Sequence, residues 1–352
     1  MYSFSKFVSA VLAFGLLSSH VSATCSNPLQ RKEWRTLPAT EKQAYIEAVK
    51  CLQTKPGLSG DLYPGVRSRF DDFLGILPTV RDSYYNARRT FNTKADGIVS
   101  LSQLMKQIYA ANAGTLEPNH WTLDSRTEAA FLASPVFDPA TGFGGNGPYI
   151  NSTDDATVRL HIPGKTGGGC ISNGPFKNMS VNMGPGLNNE YNPHCLTRDF
   201  SPWLATQKLQ LINAFTPFIQ TQFSTFDIAV QGAIDVPGLT YHGGGHLSVG
   251  GDLGTMGDVY ASPGDPLFFL HHANMDRLWD LWQRVDFPHR KKDIAGPTVQ
   301  FTAPFDFFGA ATSANVTLDY AMDFKHLVSS SSSVKISEVM DIRAGRLCYT
   351  YV

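Results

Sequence analysis

The chain has 352 residues, 42% of them apolar and 17% charged, which suits a globular protein with a sizeable core and excludes a largely disordered one. Its 29 basic and 30 acidic residues leave a formal net charge of −1, so the balance calls for neither nucleic acid nor an anionic membrane as partner. The 31 glycines and 21 prolines point to long loops around a smaller helical core.

At the N-terminus Lys6 precedes an apolar stretch from Phe7 to Leu17 that is too short to span a bilayer, and Val21-Ser22-Ala23 supplies small residues ahead of a cut. That order reads as a signal peptide over 1–23, so a secreted protein is expected, with residues 24–352 as a single domain. No later segment is long and apolar enough to be a membrane span. Tyr45, Ile46, Val49 and Leu52 recur at helical spacing and predict a helix from Glu41 to Leu52, with Thr40 and Gln43 in the pattern of a capping box. A shorter amphipathic stretch runs from Arg69 to Phe73, and Ser100 to Ala113 predicts a helix with Leu101, Leu104, Met105 and Ile108 on one face.

From Ser134 to Leu187 the chain is rich in Gly, Pro, Asn and Ser, an irregular excursion with short strands. Ser201 to Phe218 and Thr221 to Gly232 read as helices. Beyond Thr302 the pattern turns to short strands at Thr317–Tyr320, Val334–Ile336 and Leu347–Val352, with a flexible turn over Ser329–Ser333. Five cysteines (25, 51, 170, 195 and 348) suit an oxidising compartment with one or two disulfides. The sequence leaves their pairing open; Cys25 with Cys51 and Cys170 with Cys195 close the shortest loops. Asn151, Asn178 and Asn315 each begin an Asn-x-Ser/Thr sequon and are glycosylation candidates in a secreted chain.

The chemistry concentrates between Tyr241 and Trp282. His242 and His246 stand four apart, which on a helix places both imidazoles on one face. The three glycines between them oppose a helix by about 1 kcal/mol each, so packing or a metal must hold that turn. A second pair, His271-His272, opens an amphipathic helix carrying Met275, Leu278, Trp279 and Trp282. Three imidazoles with neither carboxylate nor thiolate suit copper, zinc, iron or nickel, and leave an open metal face that copper tolerates in both redox states. A zinc hydrolase built on His-x3-His is disfavoured, because no Glu stands between the two histidines to act as general base.

Gly264-Asp265-Pro266-Leu267-Phe268-Phe269-Leu270-His271-His272, followed by Asp276-Arg277 and Trp279, resembles the second copper-site motif of tyrosinases, catechol oxidases and haemocyanins. The resemblance extends to RKEWRTL, AYIEAVKCL and SRFDDF in the N-terminal part and to HWTLDS, ASPVFD, CLTRDF and LCYTYV beyond His120, as in short fungal secreted members. It implies a mainly α fold, a helix bundle holding a copper site with long irregular loops and short C-terminal β-strands. It further implies His242, His246 and His272 as copper ligands, with His271 beside them, Asp276 and Arg277 anchoring the ligand helix, and Phe268 packed on a ligating ring. Asp276 in that role accepts a hydrogen bond from its helix turn or a neighbouring imidazole. Val259 falls where plant catechol oxidases carry a bulky gate, leaving a wider entrance. Gly243 replaces an Asn thought to help deprotonate monophenols.

The implied activity is oxidation of o-diphenols to o-quinones with O2, monophenols being a further candidate class. The interval 74–119 does not match the family, whose first copper site lies there, and it contains no histidine. One copper per chain rather than two is therefore expected, and a catalytically impaired single-copper binding protein is the alternative reading. His120, His161 and His194 read as isolated histidines outside the copper set.

Overall fold

The computed structural model describes residues 25–75, 120–233, 235–296, 314–327, 333–345 and 347–352. The expected signal peptide, the helix expected at Ser100 to Ala113, most of the interval 74–119 and most of the turn expected at Ser329–Ser333 lie outside the described residues. The architecture is mainly helical, as expected. Strand β1 (Leu29–Arg31) leads into helix α1 (Ala39–Thr54), which buries Tyr45, Ile46, Val49 and Leu52 at the anticipated spacing. The capping box does not form: Pro38 occupies the N-cap position at φ −63°, so Thr40 falls inside the first turn. A helical stretch over 69–75 follows, and Phe70 and Phe73 meet Phe269 edge-on.

After the short helices α2 (Trp121–Asp124) and α3 (Glu128–Leu132), the chain runs irregularly to a two-stranded ribbon of β2 (Ser180–Val181) and β3 (His194–Cys195). The single long helix expected over 201–218 is two, α4 (Pro202–Lys208) and α5 (Leu211–Phe218), separated at Leu209 and Gln210. Then come α6 (Phe223–Gln231), α7 (Tyr241–Gly250), α8 (Leu267–Val285) and α9 (Phe287–Arg290). α7 packs on α4, α6 and α8, and α8 also contacts α5. Helix α8 is the axis of the core. Its Trp279 and Trp282 pack against Phe223 and Phe226 of α6, while Phe268 and Phe269 fill the other end.

At the C-terminal end β4 (Ala321–Asp323) pairs antiparallel with β5 (Ser333–Lys335). The strand expected at Thr317–Tyr320 is instead a turn, closed by the Tyr320 N–H donating to the Thr317 carbonyl, and the pairing begins one residue later. The register follows burial: Met322 and Val334, opposite one another, are both inside. β6 (Tyr349–Tyr351) lies parallel to β1, with Arg31 opposite Tyr351. Residues 25–31 and 348–351 thus lie side by side, and Cys25 is bonded to Cys348 rather than to Cys51, which stays a free thiol on α1. The short pairing Cys170–Cys195 is present.

Two buried ion pairs fix α8 in place. At its start the Arg198 guanidinium grips both oxygens of Asp265 at 2.8 and 3.0 Å and also donates to the carbonyls of Phe143 and Gly144. Asp265 in turn accepts from the Leu267 N–H, capping the helix entry. Farther along, the Asp276 Oδ2 accepts from Arg31 at 3.3 Å, from the Tyr349 hydroxyl at 2.6 Å and from Tyr351. The partner expected for Asp276, its helix turn or a neighbouring imidazole, gives way at Oδ2 to Arg31, Tyr349 and Tyr351. Asp276 points away from the histidines, because the paired terminal strands bring one cation and two phenols to the opposite side of α8.

Candidate metal centre

α7 forms despite Gly243, Gly244 and Gly245, so tertiary contacts supply what propensity withholds. Its end is set by Gly251 at φ +46°, where a Cβ would come within 2.3 Å of the Asp199 carbonyl oxygen. Inside the turn, a Cβ on Gly245 would lie 2.2 Å from Cε1 of His271. The missing side chain is the space in which the His271 ring sits.

On α7 the rings of His242 and His246 lie 4.8 Å apart at 86°. On α8 the ring of His272 lies 5.2 Å from each of them, at 88° and 68°. His246 Nε2 is 3.2 Å from His242 Nε2 and 3.1 Å from His272 Nε2. His246 Nδ1 donates to the Met256 carbonyl at 2.9 Å. A carbonyl can only accept, so the proton is on Nδ1 and the Nε2 lone pair faces the other two rings. Two nitrogens each ~2.0–2.1 Å from one metal ion lie about 3.0–3.4 Å apart at ligand angles of roughly 95–110°, so the observed separations fit a shared ion.

Measured by separation alone, His242, His246 and His271 also bring ligand nitrogens within 4.8 Å of one another. Hydrogen bonding decides between His271 and His272. The Trp121 indole N–H, which can only donate, gives to His271 Nδ1 at 3.1 Å, and His271 Nε2 then donates to the His242 carbonyl at 2.9 Å. His271 has neither nitrogen left for a metal.

Burial pushes the His246 imidazole down to about 4, against the pull of its Met256 hydrogen bond. Burial, and then the neighbouring imidazoles, hold His271 and His272 well below the usual histidine range. Neutral rings are the form that can ligate. Phe268, one turn before His272, stacks on its ring at 4.0 Å and 26°. Arg277 reaches His120 Nδ1 at 3.4 Å and Asn274 of its own helix at 3.3 Å. Gly243 is half-buried against Leu239, and Val259 is exposed on the turn after Gly257.

Three other histidines of the described residues have partners of their own. His161 pairs with Asp252, His194 bonds the Asn192 carbonyl, and His120 lies beside Arg277 with its ring pushed down to about 4 by burial, Arg277 and Arg35. Sequence reasoning missed Trp121, whose partner is 150 residues away, and Met256, which acts through its backbone. Neither carries a local signal. Asn151, Asn178 and Asn315 are all exposed.

Residues 103–285 match the family model described as the common central domain of tyrosinase. An N-acetyl-6-hydroxytryptophan oxidase of Emericella nidulans is 33% identical over 364 residues, covering 92% of each chain. A tyrosinase P of Aspergillus terreus is 31% identical, covering 93% of each. Among solved structures, a variant polyphenol oxidase from Thermothelomyces thermophila superposes with a TM-score of 0.76 at 29% identity, over 92% of this chain and 89% of the other.

Proposed function

This chain belongs to the tyrosinase family of copper-dependent oxidoreductases, and on that premise we propose that His242, His246 and His272 hold one copper ion in a secreted phenol-oxidising protein. The observation that carries the reading is the convergence of Nε2 atoms at 3.1–3.2 Å around the inward-facing lone pair of His246. Copper in such a set supplies one-electron exchange with a phenol or with O2. The chain's own residues do the rest. Met256 fixes the His246 tautomer, Phe268 covers one face of His272, and α8 is pinned at its start and its middle by buried carboxylates. The exposed Val259 leaves a broad approach, and Gly243 offers no group to take a phenol's proton, so o-diphenols are the favoured substrates and o-quinones the products. No helix of the described residues is long and apolar enough to cross a membrane, which is compatible with secretion after removal of residues 1–23.

The second reading is a single-copper binding protein of impaired activity. It is favoured by the absence of any histidine between positions 74 and 119, where the family's first copper site falls. Copper titration of the purified protein tests both. About one copper per chain, lost on His246→Ala with the circular dichroism unchanged, is the expected outcome. Two coppers per chain would establish a further site and remove the second reading. Failure of the wild type to bind copper would end the proposal.

A further inference from the structure

We propose that His271 is a positioning residue: it clamps the glycine-rich first turn of α7 to α8 and so sets where His242 and His246 present their nitrogens to His272. The inference rests on the reading of those three histidines as the metal ligands.

His271 is fully buried, and its hydrogen-bonding capacity is completely used. Trp121 fills Nδ1, which puts the proton on Nε2, and that proton goes to the carbonyl of His242. The ring therefore joins three elements, α2, α7 and α8, through two directed bonds. Its contact with α7 depends on the missing side chain, since a Cβ on Gly245 would lie 2.7 Å from both ring nitrogens. The ring also lies parallel to that of His242, at 5.5 Å and 13°. A turn of three consecutive glycines has no side chains with which to resist sliding or rotation. Here the resistance comes from outside, through a carbonyl belonging to the residue whose imidazole must be aimed. His271 and His272 are adjacent, so one locks α7 while the next faces His246, and the interval between the two helices is fixed by one rigid dipeptide.

Three substitutions separate this role from simple packing. His271→Phe keeps the ring but removes both hydrogen bonds. His271→Gln restores an acceptor for Trp121 and a donor for His242. Trp121→Phe removes only the indole donor. Each full-length variant is titrated with copper(II) against a competing chelator. The copper-loaded form is examined by electron paramagnetic resonance, and the metal-free form by near- and far-ultraviolet circular dichroism. His271→Phe should keep the metal-free spectra, bind copper(II) roughly 10–100-fold more weakly and show an altered hyperfine splitting. His271→Gln should recover most of the affinity and the wild-type splitting, with Trp121→Phe between the two. A wild type that binds no copper(II) would remove the ligand reading itself. A wild type that binds, alongside a His271→Phe variant with the same affinity and splitting, would overturn the positioning role alone. Should His271→Phe fail to fold, Trp121→Phe decides, and wild-type affinity and splitting there overturn the proposal.

Discussion

Removing either partner of the buried Arg31–Asp276 pair should have unequal effects. Both side chains are essentially inaccessible, at 1% and 0% exposure. Asp276→Ala would leave a guanidinium that cannot lose its proton among Tyr349 and Tyr351, and breaking a buried pair in this way costs about 3–5 kcal/mol. At ~2.1 cal/mol/K of unfolding entropy per residue, a chain of this length should lose about 4–7 °C in Tm. Arg31→Met leaves a carboxyl that has an escape. Burial already raises its pKa above the usual carboxylate range, and with Arg31 gone it can take up a proton while the two tyrosine hydroxyls remain bonded to it. The loss there is one charge-assisted hydrogen bond, roughly 1.5–3 kcal/mol. A folded-state pKa raised above the unfolded one favours the fold below the unfolded value and loses that advantage as pH rises. The Arg31→Met deficit should therefore shrink as pH falls from 7 to 5, while that of Asp276→Ala should persist. Calorimetry of the copper-free variants at both pH values reads this directly. An Arg31→Met variant as unstable as Asp276→Ala, or deficits that ignore pH, would refute the reasoning.

The copper-free protein should lose stability on acidification. His246 and His120 fall to about 4 in the folded chain against an ordinary histidine value of about 6.5, so their contribution is present above ~6.5 and lost as pH drops toward 4; a flat Tm series from pH 7.5 to 4.5 would contradict this. Arg198→Lys should destabilise by several kcal/mol, because an ammonium cannot span both oxygens of Asp265 and the two backbone carbonyls together; denaturant titration checks it, and a loss under ~1 kcal/mol would contradict it. Cys348→Ser should lower stability by up to about 5 kcal/mol, since the bond it removes closes a separation of 323 residues. Reduction of the wild type, which also opens Cys170–Cys195, should lower Tm by at least as much.

The histidine group was legible because its determinants are local: a four-residue spacing and a dense motif that opens a helix. Helices with a clear apolar face, such as α1 and α8, were legible for the same reason. Pairings between distant segments were not. Cys25 joins Cys348, and Asp276 turns toward Arg31 and Tyr349 rather than toward an imidazole, because β1 lies beside β6. No short-range pattern encodes that adjacency. The break between α4 and α5 escaped notice because Leu209 is apolar and in phase with its neighbours, so only the backbone shows the interruption. The glycines of α7 opposed a helix when read alone, and the ring that makes them necessary belongs to another element.

The parallel pairing of β1 with β6 has a consequence for biogenesis. During translation the first strand leaves the ribosome with no edge to join and waits through nearly the whole synthesis for its mate. Arg31 must meanwhile stay hydrated or held by a chaperone, since the phenol to which it donates lies 320 residues farther along the chain. Closure of the scaffold around α8 therefore waits for Tyr349 and Tyr351, and a nascent chain stalled shortly before Tyr349 would carry every candidate ligand yet lack the clasp on its central helix.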